Sequence, residues 1–141
     1  MNTEIPWFGV TCAFDEYHDA TQHLLGYDIK QHLDPQKGLD AILERTFPLI
    51  VVQKVIESMG SIPREDLLVG DLETTAFYII GKIRKLPANK DTPIIVPGLF
   101  DEKQFSGAEQ RYIDAGATAV ISSLGQNPVK IFLEMAGRYI N

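Results

Sequence analysis

One cysteine, three histidines, a deficit of basic residues and no long apolar run are the scarcities of this 141-residue chain. A lone thiol, Cys12, cannot form an internal disulfide, and its neighbours Val10, Thr11 and Ala13 mark it as a buried strand residue. His18, His23 and His32 show no ligand spacing with other Cys, His or carboxylate groups, so neither a metal nor any other cofactor is expected. Lys and Arg number 13 against 19 Asp and Glu, a formal charge of −6. A nucleic-acid binder needs cations to neutralise phosphates and release counterions, so such a partner is not expected. The densest basic cluster, Lys82, Arg84 and Lys85, suits the last turn of a helix, where cations offset the helix dipole. Residues 1–7 include Glu4 and lack the apolar centre of a signal peptide. No stretch approaches the roughly 20 apolar residues of a membrane span. No membrane partner and a cytoplasmic location are therefore expected.

Phosphate-cradling glycines are missing too. The loop Ala13-Phe14-Asp15-Glu16 brings bulk and negative charge where a nucleotide or flavin site on a parallel sheet would need Gly and Ser/Thr. Gly60, Gly98 and Gly125 are isolated, and Ser122-Ser123 has no neighbouring His or acid in sequence to activate a hydroxyl. No catalytic constellation emerges, and the chain does not read as an enzyme.

What is present is 45% hydrophobic residues, enough for one core in a single domain over 1–141. Apolar runs alternate with helical patterns along the whole length, which predicts βα units around a parallel sheet. Strands are expected at Trp7–Ala13, Tyr27–Leu33, Phe47–Gln53, Thr92–Val96 and Ala119–Ser122. The second alternates polar with apolar residues and reads as an edge strand; the third is almost wholly apolar and reads as central. Tyr17, Ala20, Thr21, Leu24 and Leu25 share a helical face closed by Gly26, and Asp34-Pro35 opens a helix whose inward stripe is Leu39, Ile42 and Leu43. Further helices are expected over 75–86, over 103–115 and from Pro128, the last burying Val129, Phe132, Leu133, Ala136 and Ile140. The expected fold is a flavodoxin-like α/β/α sandwich of five βα units. Residues 54–75 are too long for an ordinary βα connection and form an insertion after the third strand. In a competing reading, 66–73 is the central strand and Asp71 its terminal acid.

Four stretches carry a family likeness. GLDAILERTFPLIVVQ, ETTAFYIIGKIRKL with TPIIVPG, AGATAVISS, and the helix from Pro128 together resemble the receiver domains of two-component response regulators. The resemblance implies an aspartate closing strand three as phosphoryl acceptor, two acids after strand one that help hold Mg²⁺, a hydroxyl ending strand four, and a lysine after strand five. At those positions stand Gln53 for the acceptor, Gly98 for the hydroxyl, Ser123 for the lysine and Leu124 for the proline after it, with Val120 in place of an aromatic switch residue. The acidic pair falls on Cys12 and Ala13 or on Phe14 and Asp15, according to register. Asp15 with Glu16 is then either a residual part of that pair or a set of helix N-terminal acids.

An amide has no anionic oxygen to attack phosphorus. The expectation is thus a phosphorylation-independent pseudo-receiver, a regulatory domain that binds a protein partner in a signalling pathway. Two alternatives stand beside it: a conventional acceptor using Asp71, and a small-molecule sensor with Gln53, Gly98 and Ser123 as polar contacts at the strand ends. By the same resemblance the fourth helix, fifth strand and last helix form a pairing face. Phe105, Arg111, Tyr112, Lys130, Glu134 and Arg138 lie there, and a homodimer is expected.

Overall fold

Ile5, Trp7 and Phe8 are fully buried, and the strand that carries them, β1 (Glu4–Phe8), lies next to the edge of a parallel sheet. The computed structural model describes residues 2–9, 11, 13–54, 74–98, 105–122 and 127–140. In chain order these form β1, α1 (Phe14–Leu25), β2 (Asp28–His32), α2 (Pro35–Ala41), β3 (Ile50–Val52), α3 (Thr74–Arg84), β4 (Ile94–Gly98), α4 (Phe105–Ala115), β5 (Ala119–Ser122) and α5 (Pro128–Ile140). The five strands order as β2-β1-β3-β4-β5, all neighbours parallel. This is the flavodoxin-like arrangement expected from the alternation of apolar runs and helical patterns.

The period of two along a strand decides what each face packs against. Phe8, Ile50, Val52, Ile94, Val96 and Val120 meet Leu39 and Ile42, then Ile79, Ile80 and Ile83 of α3, and Tyr112 of α4. On the other face Ile5, Trp7, Ile29, Val51, Ile95 and Ile121 meet Tyr17 of α1 and Phe132 and Ala136 of α5. There Trp7 lies 5.0 Å from the Tyr17 ring and 5.5 Å from Phe132. Each layer therefore has its own apolar core, and β3 contributes to both.

Helix ends follow their local chemistry. Asp34 caps α2 by accepting from the backbone N–H of Gln36 and Lys37, with Pro35 in the first turn. Gly26 closes α1 in the left-handed region, φ 75°. Gly38 lets α2 approach the sheet, because a Cβ there would fall 2.5 Å from Phe8 Cε1 and 2.9 Å from His32 Cβ.

Four expectations need correction. β1 spans Glu4–Phe8 rather than Trp7–Ala13. Pro6 lacks an amide proton, yet Ile5 and Trp7 on either side of it are wholly buried and the strand is paired with β2 from Glu4↔Asp28 to Phe8↔His32. The chain then turns out at Gly9, φ 112°. β4 does not stop at Val96 but runs on through Pro97 to Gly98, in register with Ile121 and Ser122. Proline is tolerated because its carbonyl still serves the ladder, accepting from Lys54 N–H at 3.0 Å. Leu24 and Leu43, expected inward, are 64% and 47% exposed. Leu43 lies beyond the end of the seven-residue α2, while the inward positions of α1 are filled by Tyr17 and Thr21. β3 keeps only Ile50–Val52 in the ladder, though Phe47 and Leu49 before it are also buried.

The central place between β1 and β4 is taken by Ile50–Val52, and 66–73, the central strand of the competing reading, lie outside the described residues. Asp71 and most of the 54–75 insertion lie outside the described residues, as do Cys12, Ser123 and Leu124.

Candidate functional site

In open parallel sheets ligands and chemistry gather beyond the carboxyl ends of the strands. Here Gln53 follows β3 and is tied to β1 by its backbone, its N–H donating to the Phe8 carbonyl at 2.9 Å. Phe8 pairs with Val52, so Gly9 is the residue that leaves β1 beside Gln53. In the sequence Gly9 and Val10 directly follow the last residue of β1, ahead of positions 12 to 15 where both registers put the acidic pair. Neither bears a carboxylate. Asp15 and Glu16 instead lie exposed on the first turn of α1, where their charges favour the positive end of the helix dipole.

Across from Gln53, β4 closes on Gly98, whose neighbour in β5 is Ser122. Val120, two residues back, is buried against the α2–α3–α4 layer. Lys54, not singled out by sequence, is a cation at this end of the sheet. Its N–H joins β4 through the Pro97 carbonyl, and its own carbonyl accepts from the Tyr112 hydroxyl at 3.5 Å. The side-chain stem of Lys54 lies along Gly98, with Cδ 2.9 Å and Cγ 3.1 Å from where a Cβ on that glycine would stand. A hydroxyl-bearing side chain at position 98 would collide with it. The signal available in sequence was a lysine directly after the strand-closing amide and a glycine where the likeness asks for Ser or Thr.

The Mg²⁺ that the resemblance implies would require carboxylate oxygens here. The described ends of β1, β3 and β4 offer Gly9, Gln53 and Gly98, which do not suit a hard divalent cation. Among the described residues no cluster of three His, Cys, Asp or Glu converges anywhere.

The expected pairing face is divided by the structure. Arg111, Lys130, Glu134 and Arg138 are exposed on α4 and α5, which flank the edge strand β5 from opposite faces. Tyr112 does not belong with them. It is fully buried, its ring stacked on Phe77 with centroids 4.6 Å apart, because the helical period turns it toward α3 while Arg111 points out. Phe105 is half-buried and packs against the same core layer.

Among the described residues two titrating groups are shifted. His32 ends β2, its ring 5.4 Å from Phe8, with Nε2 buried and unbonded. Burial, and secondarily Lys30, hold its pKa below the usual value, while Glu4 acts weakly in the opposite sense. Arg84, at the opposite end of the sheet, is lowered by burial, which Asp91 counters.

No family profile matches the sequence, and no curated protein matches it. Solved structures do resemble the chain. The receiver domain of a sensor histidine kinase from Pseudomonas aeruginosa, with magnesium in its active-site cleft, aligns with a TM-score of 0.67 at 13% identity, covering 99% of this chain and 98% of that one. A chemotaxis response regulator of Vibrio cholerae gives 0.65 at 14%, covering 96% and 99%. A response-regulator structure from Chloroflexus aurantiacus gives 0.70 at 10%, covering 99% and 98%. At such identities what is common is architecture, and the conclusion is that this chain has the five-stranded fold of response-regulator receiver domains.

Proposed function

We propose that the chain is a signalling domain of receiver type that works without taking up a phosphoryl group, its output being association with a protein partner. The observation that carries this reading is that Gln53 follows β3, bonded through its backbone to Phe8, between Gly9, which follows β1, and Gly98, which ends β4. Phosphoryl transfer to a side chain needs an anionic nucleophile and positive charge or metal on the phosphoryl oxygens. An amide and two glycines supply no anionic nucleophile and no ligand for a metal, and Lys54 alone brings charge without a nucleophile. The exposed charges of both signs on α4 and α5 support the partner-binding side of the proposal, with a second copy of this chain as one such partner.

The deciding experiment is an amide NMR titration with Mg²⁺ and beryllofluoride, a mimic of an acyl phosphate. The expected outcome is no saturable shift at Gln53, Gly98 or Ser122. Saturable shifts there would overturn the proposal, and their loss in Asp71→Asn would identify Asp71 as the acceptor instead. Gln53→Asp alone is expected to leave the protein unresponsive, since restoring one carboxylate supplies neither the metal ligands nor the hydroxyl.

A further inference from the structure

We infer that Lys54 is a latch that fixes α4 against the sheet. Three contacts made by this one residue carry the inference. Its N–H donates to the Pro97 carbonyl and so extends the β3–β4 ladder one step past the last residue of β3. Its side-chain stem lies flat on Gly98, so close that a Cβ on the glycine would fall on Lys54 Cβ and within 2.9 Å of Cδ. Its carbonyl receives the hydroxyl of Tyr112, which is fully buried and stacked on Phe77 of α3.

The strand ends and two helices thus meet at one backbone unit. Gly98 lets the Lys54 backbone come close to β4, and that closeness sets the carbonyl which α4 grips through Tyr112. Interiors are close-packed, so such contacts hold discrete arrangements and do not deform continuously. The consequence is that the α4 side of the β5 edge is held in one position by contacts of the chain itself. This device rests on geometry alone and holds whichever reading of phosphoryl uptake is correct.

A double-mutant cycle tests it. Gly98→Ala is expected to lower the urea midpoint of unfolding and to speed amide exchange across α4 relative to α5. Because the collision involves Lys54 Cβ, most of the Gly98→Ala loss should disappear in a Lys54→Gly background and persist in a Lys54→Ala background. Equal losses in all three backgrounds would overturn the inference. Tyr112→Phe, which removes only the hydroxyl that the Lys54 carbonyl receives, also decides the matter should Gly98→Ala fail to fold. Faster exchange over α4 with α5 unchanged supports the latch, and unchanged α4 exchange overturns it.

Discussion

Arg84 donates through Nε to the carbonyl of Gly116 at 2.7 Å, and Gly116 is held at φ 121° with the Arg84 side chain 2.8 Å from where its Cβ would be. The same guanidinium donates to the carbonyls of Thr92 at 2.7 Å and Lys90 at 3.0 Å. One planar fork, sent from the last turn of α3, thereby joins the loops that lead into β4 and β5.

Arg84→Ala is expected to cost about 3 kcal/mol of folding stability, since hydrogen bonds from a charged group are worth roughly 1.5–3 kcal/mol each but are not additive. Arg84→Lys should recover less than half of that, because a single ammonium cannot span the Gly116 and Thr92 carbonyls in fork geometry. Urea denaturation of both variants measures this. A lysine variant as stable as the parent would show that charge, not geometry, is what matters at the site.

Asn89 is wholly buried and uses both ends of its amide. It donates to the carbonyls of Ile42 and Arg45, each at 2.8 Å, and accepts from Phe47 N–H at 3.1 Å and the Thr92 hydroxyl at 3.0 Å. Asn89→Ala should lower stability by about 2–4 kcal/mol, as buried partners are left unsatisfied. Asn89→Asp, similar in shape but lacking both donors, should be at least as harmful at neutral pH, as thermal unfolding of the two variants would reveal.

Tyr112→Ala, an interface substitution if the sequence alone is followed, should act on the core. A loss of about 3–5 kcal/mol is expected for removing a large buried aromatic. Arg111→Glu, one residue earlier and exposed, should change stability by no more than about 0.5 kcal/mol. Denaturation paired with sedimentation separates the effects: any change in self-association should follow Arg111→Glu, in a protein whose folding is intact.

His32 predicts a pH dependence. Its folded-state pKa lies below the unfolded value near 6.5, so the folded protein favours the neutral ring. The stabilising contribution is present above the unfolded pKa and is lost as pH falls through the folded one. Denaturant midpoints measured downward from pH 7.5 should therefore decline more steeply for the parent than for His32→Gln, with His18 and His23 left in place. Parallel declines would show that the ring near Phe8 and Gly38 does not sense pH.

The alternation of apolar runs with helical stripes was enough to determine the fold class, the edge place of β2 and the central place of β3, because burial on one face or two writes a period directly into the residues. Gly26 and Asp34-Pro35 likewise announced helix ends through local backbone chemistry. That positions 53 and 98 carry an amide and a glycine was also legible without coordinates. Register was not. Whether β1 ended at Phe8 or five residues later depended on its pairing with Asp28–His32, a contact between distant segments that no local pattern encodes, and the placement of the acidic pair depended on it. Only tertiary packing decided that Tyr112 turns inward to Phe77, that Arg84 spans two loops, and that Lys54 lies across Gly98. Each of these is a meeting of side chain and backbone set by how layers close on one another, where adjacency in space has no counterpart in adjacency along the chain.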